Sequence, residues 1–329
     1  MTSLLPTKEL GDCRVLVTAT SFGKQDPGLK ETLQAAVGQV VYNHHTRPLK
    51  ASELIEMVAE FDGIIAGLDE FNADVLRAAQ RLRVLARYGV GVDRVDLAEA
   101  QLRGIVVTNT PGANSTAVAE LTIAFILALA RHLIYSDAAT HRGEWPRLNG
   151  LGLRGRVVGL VGLGGIGREV SLRLKAFGCH VLAADPYVTS EVAAQVGAEL
   201  TNIDNLLQQS DFVSLHAQVT PATRGMVDDA FLSKMKPGAF LVNTARGELI
   251  DENALLIALE KGALQGAALD CFCQEPADAG NPLLQLPQVI ATPHMGAHTD
   301  EAVNQMGWMA LNDCLAVLRG ETPQYRVTI

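Results

Sequence analysis

Short apolar runs and longer helical periods alternate along the chain. Runs such as Arg14–Ala19 and Val157–Val161 are short and rich in Val, which predicts buried strands. Segments such as Leu29–Val37 and Asp300–Leu318 show the apolar spacing of helices. Strands that alternate with helices indicate parallel sheets covered on both faces. The alternation forms two blocks, one before about residue 108 and one centred on residues 157–185.

The stretch between the two blocks contains one long apolar segment and then an irregular one. A TPG turn leads into a predicted long helix that crosses between the domains. The segment that starts at Ile134 has no clear period and is expected to be a loop. Its Tyr135 and Trp145 indicate either a subunit contact or an ordinary surface loop. In the first block, Ser52 is a good N-cap and predicts the start of a helix.

A glycine-rich turn follows the strand Val157–Val161. Gly162, Gly164 and Gly167 have the G-x-G-x-x-G spacing, a helical pattern follows, and Asp185 ends the next apolar run. An isolated match is often only a tight turn, but strand, turn, helix, strand and acid in this order predict a dinucleotide site. The helix N-terminus would bind the diphosphate. Asp185 would accept hydrogen bonds from the adenosine ribose, which favours NAD over NADP.

The composition narrows the class of protein. The chain is 48% hydrophobic and 19% charged, which is typical of a folded protein. Its length of 329 residues is enough for two domains. The net charge of −9 disfavours binding to nucleic acid or to an anionic membrane. The N-terminus lacks the apolar region of a signal peptide, and the apolar run Leu121–Ala130 is shorter than a membrane span.

The cysteines predict neither a disulfide framework nor a metal site. The chain has five, an odd number, and none has the spacing of a zinc ligand set. Reduced thiols in a cytoplasmic protein are the expectation. Cys271 and Cys273 are expected to be small core residues.

Four polar residues follow apolar runs of the second block: Arg246, Asp270, Glu275 and His294. Because ligands bind at the carboxyl edge of an open α/β sheet, we expect these residues to lie together beside the glycine turn. His294 suits a base for a hydroxyl proton, Glu275 would hold its imidazole, and Arg246 would bind a carboxylate and a carbonyl oxygen together. Asp270 would accept from a nicotinamide carboxamide. The set matches hydride transfer at a carbinol next to a carboxylate.

Each of these residues also has a structural interpretation. A His after Pro is often structural, Arg246 would also suit a surface salt bridge, and Glu275 would also suit a loop carboxylate. His216, at another strand end, is either a cofactor contact or a turn residue. Only their expected convergence on one sheet edge favours catalysis.

The chain resembles the D-2-hydroxyacid dehydrogenase family, which includes D-3-phosphoglycerate dehydrogenase. The resemblance covers nearly the whole chain and is densest from RYGVGVD to TPHMGAH; it includes GLGGIG, NTARGELID and FCQEP. The family's catalytic Arg, Glu and His fall on Arg246, Glu275 and His294. The substrate-binding residues that the resemblance implies are Val90, Gly91 and Arg246, with Arg87 as a nearby cation. The cofactor contacts that it implies are Gly162, Gly164, Gly165, Ile166, Gly167, Asp185, His216, Thr244, Ala245, Asp270 and Gly296.

The resemblance also implies a fold and an activity. The fold would be two Rossmann-like doubly wound parallel-sheet domains, with an NAD-binding domain (109–297) inserted into a flavodoxin-like substrate-binding domain (1–108 and 298–329). The activity would be NAD-dependent interconversion of a D-2-hydroxy acid and its 2-keto acid. The nearest named activities are D-3-phosphoglycerate dehydrogenase and hydroxypyruvate/glyoxylate reductase. A homodimer through the NAD-binding domain is expected, with a cleft that closes on substrate.

Two departures from the family leave the substrate open. Many phosphoglycerate enzymes have an Arg-Ser pair where this chain has Ala66 and Gly67, which removes one phosphate ligand. The sequence ends at Ile329 without the regulatory domain of some relatives, so feedback by serine is not expected. The alternatives are an NADH-sensing, corepressor-like interaction protein, and a dehydrogenase of an inorganic or amino-acid substrate on the same fold.

Overall fold

The computed structural model of the chain describes residues 9–45 and 47–328. These residues form two compact units. Unit 1 is the described part of Met1–Asn114 and His298–Ile329, and unit 2 is Ser115–Ala297. Unit 2 therefore interrupts unit 1 in the sequence.

Unit 1 is built on a parallel sheet of five strands. The strands are β1 (Arg14–Val17), β2 (Gln39–Tyr42), β3 (Gly63–Ala66), β4 (Val84–Arg87) and β5 (Val106–Thr108). Its helices are α1 (Gly28–Ala36), α2 (Ala51–Met57), α3 (Ala73–Ala78), α4 (Leu97–Leu102) and the C-terminal α12 (Asp300–Leu318). The strand order β2-β1-β3-β4-β5 is that of the flavodoxin-like fold.

Unit 2 is built on a parallel sheet of seven strands. The strands are β6 (Val157–Val161), β7 (His180–Ala184), β8 (Ala198–Leu200), β9 (Phe212–Leu215), β10 (Ala239–Asn243), β11 (Leu264–Leu269) and β12 (Val289–Ala291). Its helices are α5 (Ser115–Ala130), α6 (Leu133–His141), α7 (Gly165–Ala176), α8 (Ser190–Gln195), α9 (Ile203–Gln209), α10 (Asp229–Lys234) and α11 (Glu252–Glu260). The order is β12-β11-β10-β9-β6-β7-β8, so the direction of winding reverses between β6 and β9. Ligands bind at such a switch point.

Both sheets are buried on their two faces. All residues of β3, β9 and β10 are buried, as expected for central parallel strands covered by helices. Phe212 and Phe240 stack with their ring centroids 4.9 Å apart in the core of unit 2. In unit 1, Arg83 donates to the carbonyl oxygens of Val317 and Leu318 at 3.1 Å and so ties the end of α12 to the sheet. The predicted fold class, with two doubly wound parallel sheets, is confirmed.

Two local predictions are wrong. Ser52 does not cap α2, because the helix begins at Ala51 and Glu53 accepts from the backbone N–H of Lys50 at 2.7 Å. The expected loop from Ile134 is instead the helix α6, and the irregular part is residues 144–153. Only Ala139 of α6 is buried, so the helix has no apolar stripe from which its period could be recognised.

Three short elements of unit 2, α8, β8 and α10, were not predicted. The two helices have six residues each, too few for a clear period. Their N-caps, Thr189 and Asp228, accept from backbone N–H groups and were the available signals.

Within the described ranges, no single helix is long and apolar enough to cross a membrane. By length and hydropathy alone, α5 and α6 pass that test only as a pair joined through a 64° bend.

Candidate active site

The turn after β6 requires glycine at two positions. Gly162 has φ +97°, and a Cβ there would lie 2.8 Å from the carbonyl carbon of His216. A Cβ at Gly167 would lie 2.4 Å from the carbonyl oxygen of Gly162, so the turn and α7 pack backbone to backbone. Gly162 thus allows the tight turn, and Gly167 lets the helix pack closely against it.

Helix α7 begins in a way that suits an anion. Its N-cap is Gly164, and no described side chain caps the helix. A Cβ at Gly164 would meet no described atom within 4 Å. Gly165 is exposed, whereas Ile166 is half-buried and packs against the core. The first turn therefore offers uncapped N–H groups to open space, which is the arrangement that binds a diphosphate.

Asp185 lies beside this turn at the end of β7. One carboxylate oxygen accepts from the Leu163 N–H at 2.7 Å, and the other accepts from the Tyr187 N–H at 2.9 Å. The backbone thus fixes the carboxylate that the sequence predicts for the ribose. Arg168, which sequence reasoning missed, donates its Nε–H to the Leu163 carbonyl oxygen at 3.0 Å. A cation in the first turn of a helix is unfavourable to the helix dipole, so the position of Arg168 was the available signal that this residue has a special role.

His216 lies just after β9, beneath the glycine turn. Its Nε2 is 2.9 Å from Ser214 Oγ, and its Nδ1 is buried without a hydrogen-bond partner among the described residues. Burial lowers the pKa of His216 to about 4, so the ring is neutral at pH 7. A buried, unbonded ring nitrogen next to the open helix end fits a dinucleotide site. We use the name glycine rim for residues 162–168 with Asp185.

Arg246 follows β10 in a turn held by Asn243. Asn243 is fully buried; its amide donates to the Arg246 carbonyl oxygen at 2.7 Å and accepts from the Ala245 N–H at 3.0 Å. Thr244 is also buried, with its hydroxyl 2.9 Å from that of Thr122 in α5. Sequence reasoning gave Asn243 no role, although a buried Asn at a strand end is a signal of this kind.

Asp270, after β11, holds the segment that carries His294. The carboxylate is almost fully buried, and it accepts from the N–H groups of Met295 and Gly296 at 2.8 Å each and from the Thr292 hydroxyl. The role predicted for it toward a carboxamide remains a prediction. The structure adds a positioning role, because three donors from residues 292–296 converge on one carboxylate.

His294 and Glu275 form a hydrogen-bonded pair. His294 Nδ1 lies 2.9 Å from Glu275 Oε1, and the side chains keep 20% and 13% of their exposure. His294 has φ +51°, an uncommon value for a residue with a side chain, and its N–H donates to the Asp270 carbonyl oxygen at 2.8 Å. The buried Asp270 thus stabilises the strained backbone conformation of His294.

The segments that carry Arg246 and Glu275 touch directly. A Cβ at Gly247 would lie 2.0 Å from the carbonyl carbon of Phe272, so no side chain separates the two backbones. The Cys271 thiol donates to the Ala245 carbonyl oxygen at 3.3 Å. Burial, and then the charge of Asp270 and Glu275, raise the pKa of this thiol well above its usual range, whereas Arg246 lowers it. The predicted convergence of these segments on one edge of unit 2 is therefore what the structure shows. We use the name polar rim for residues 243–247, 270–275 and 292–296.

One cysteine expectation is wrong. Cys271 is buried as expected, but Cys273 is exposed, because its N–H and thiol bond to Glu252 and to the Gly247 carbonyl at the surface of the loop.

The predicted substrate residues of unit 1 follow β4. Asn109 donates to the Val90 carbonyl oxygen at 2.8 Å, and Val90 and Gly91 are half-buried. Arg87 is 5% exposed and donates to the carbonyl oxygens of Ala66 and Tyr88. Arg87 therefore supports the ends of β3 and β4, and its role toward substrate remains a prediction.

The geometry defines a dinucleotide-binding α/β protein with a histidine–carboxylate pair on its sheet edge. Residues 123–296 match the profile of the D-isomer specific 2-hydroxyacid dehydrogenase NAD binding domain. D-3-phosphoglycerate dehydrogenase of Methanocaldococcus jannaschii is 43% identical over 277 residues, which are 83% of this chain and 53% of that one. Glyoxylate reductase of Thermofilum pendens is 38% identical over 91% of this chain and 90% of its own length. The crystal structure of the TT0316 protein from Thermus thermophilus superimposes with a TM-score of 0.85 and 38% identity, covering 96% of this chain and all of that one.

The chain belongs to the D-isomer specific 2-hydroxyacid dehydrogenase family. Unit 2 contains its NAD-binding domain, and NAD as the predicted cofactor is confirmed. The chain spans about half the length of the curated phosphoglycerate dehydrogenases that it matches.

Proposed function

We propose that the chain is an NAD-dependent dehydrogenase that interconverts a D-2-hydroxy acid and its 2-keto acid. The observation that carries the proposal is the 2.9 Å pair of His294 and Glu275 on the edge of the NAD-binding sheet. The names of the relatives, phosphoglycerate dehydrogenase and glyoxylate reductase, support the same reaction class. Bound NAD supplies the hydride chemistry.

His294 exchanges the proton. A carboxylate only accepts hydrogen bonds, so Glu275 keeps the hydrogen of His294 on Nδ1. This leaves Nε2 to take the proton of the hydroxy acid or, after protonation, to donate one to the keto oxygen. The negative charge of Glu275 stabilises the imidazolium form that arises during oxidation.

Arg246 binds the substrate carboxylate. A guanidinium can donate to two oxygens in one plane. The two hydrogen bonds of the Asn243 side chain fix the turn that carries Arg246. Val90 and Gly91 of unit 1 remain predicted substrate contacts on the family resemblance alone. Unit 1 is thus the substrate-binding domain in this proposal, and unit 2 the NAD-binding domain.

We also propose a homodimer through unit 2 and a cytoplasmic location. Large apolar side chains are exposed on α6 and the irregular segment after it: Leu133, Ile134, Tyr135, Trp145 and Leu148. A patch of this kind suits a second copy of the chain. The five free cysteines suit a reducing compartment. Light scattering of the purified chain measures the mass directly, and a monomer would contradict the dimer.

The test is oxidation of NADH with a panel of 2-keto acids. Glyoxylate, hydroxypyruvate, pyruvate, bulky keto acids and 3-phosphohydroxypyruvate are compared by kcat/KM. A gain of about tenfold or more from the phosphate, roughly 1.4 kcal/mol, would assign the phosphorylated substrate. NADH binding without oxidation by any member of the panel would overturn the enzyme proposal and favour the NADH-sensing alternative.

A further inference from the structure

A thiol lies against the His294–Glu275 pair and has no part in the proposed proton transfer. One ligand atom each of Cys271, Glu275 and His294 lie within 4.8 Å of one another. Cys271 is 2% exposed, whereas the His294 and Glu275 side chains keep some contact with solvent. A thiol, an imidazole and a carboxylate are the three ligand types that zinc takes from proteins.

The separations suit a small ion. Metal–ligand bonds of about 2.0–2.3 Å place the ligands of a tetrahedral site roughly 3–4 Å apart. His294 Nδ1 and Glu275 Oε1 are already 2.9 Å apart. No two of these ligand atoms are more than 4.8 Å apart. Side-chain movements of about 1 Å would therefore bring all three to bonding distance of one ion.

The local charge is also favourable for a cation. Three carboxylates, those of Asp270, Glu275 and Glu248, act electrostatically on the Cys271 thiol, against one guanidinium, that of Arg246. A thiophilic ion replaces the thiol hydrogen, which leaves to solvent as a proton, and the thiolate then adds a further negative charge to the site.

We propose that Cys271, Glu275 and His294 form an inhibitory site for a thiophilic divalent cation such as Zn²⁺. The ion takes His294 Nδ1, and the hydrogen of that nitrogen passes through solvent to Nε2. Nε2 then holds a hydrogen and no longer accepts the substrate proton, so the acid–base pair is blocked. The inhibition rests on the proposed function, but the binding of the ion does not.

The sequence gives no sign of this site, because the ligands are separated by 4 and 19 positions and only the fold of the polar rim unites them.

Cobalt binding tests the site without reference to activity. The metal-free chain is titrated with Co²⁺, and the thiolate-to-cobalt charge-transfer band is measured in the near ultraviolet. We expect the band in the wild-type chain and in Cys273→Ala, the matched control with a neighbouring exposed cysteine. We expect no band in Cys271→Ala or in Cys271→Ser, which keeps the side-chain size. A band that persists in both Cys271 variants, or no band in the wild type, would overturn the site.

Inhibition is measured separately. With chelator present, Cys271→Ala is expected to reduce keto acid at the wild-type rate, which also reports that it is folded; if it does not fold, Cys271→Ser takes its place. With Zn²⁺ added, the wild type and Cys273→Ala are expected to lose activity, and the Cys271 variant to need at least tenfold more Zn²⁺. Equal sensitivity of both variants would contradict the inhibitory role. A cobalt band in a chain that oxidises no NADH would instead contradict the proposed function and leave the metal site standing.

Discussion

The two rims of unit 2 are built on opposite principles. The glycine rim offers backbone: an uncapped helix end at Gly164 with open space in front of it, and the one acid, Asp185, bonded to main-chain N–H groups. The polar rim offers side chains, each held by another buried side chain, as Asn243 holds the Arg246 turn and Asp270 holds the His294 segment.

The difference follows from what each rim does in the proposed function. Binding a diphosphate requires N–H groups and room, so adding side chains there would only obstruct it. Proton transfer requires a titratable group within hydrogen-bond distance of the reacting atom, and a flexible side chain loses that geometry. A substitution in one rim should therefore leave the function of the other rim unchanged.

The largest effect is expected from His294→Ala. The variant loses the proton-exchanging group, so kcat should fall about 10²- to 10⁴-fold, while NADH affinity stays near the wild-type value because the glycine rim is untouched. Steady-state kinetics and NADH fluorescence titration measure the two quantities. His180→Ala, an exposed histidine of the same unit, is the matched control. Wild-type turnover in His294→Ala would remove this residue from the mechanism.

A smaller loss is expected from Arg246→Lys. The charge remains, but a point-like ammonium cannot bind two oxygens in one plane, so kcat/KM for keto acids should fall about 10- to 100-fold. NADH binding should again be unaffected. The exposed Arg224 provides the control substitution to Lys. Equal kinetics in Arg246→Lys and the wild type would show that Arg246 does not bind the substrate.

The converse experiment is Gly164→Ala. Because its Cβ would meet no described atom within 4 Å, the variant should fold as the wild type does. It should nevertheless weaken NADH binding about tenfold or more, roughly 1.4 kcal/mol, because the methyl group occupies the space of the diphosphate. Gly152→Ala, where a Cβ also meets no described atom, is the control. Unchanged NADH affinity in Gly164→Ala would place the diphosphate elsewhere.

The two rims also differ in how far the sequence predicts them. The glycine rim is local, since spacing within residues 157–185 is enough to predict both the turn and the acid. The polar rim joins Arg246 and His294, which are 48 positions apart, and only the rule on strand ends brought them together. Its support Asn243 was not predicted because its partners are backbone groups of a turn that no periodicity describes. Its support Thr292 was not predicted because its partner, the Asp270 carboxylate, lies 22 positions away in the sequence. Helix α6 was not predicted for a related reason, since its large apolar side chains, Leu133, Ile134 and Tyr135, are exposed.

The smallest effect is expected at His216, which follows the strand between the two rims. Its pKa is lowered to about 4 by burial, so the unfolded chain, with a pKa near 6.5, takes up the proton first as the pH falls. The stabilisation from a neutral His216 is fully present above pH 6.5 and is lost as the pH falls from 6.5 to 4. Between pH 7 and pH 5 the wild type should thus lose about 1–2 kcal/mol more unfolding free energy than His216→Asn, as measured by urea titration. Parallel losses in both proteins would mean that the imidazole titrates normally, and that the groove beneath the glycine turn is open to water.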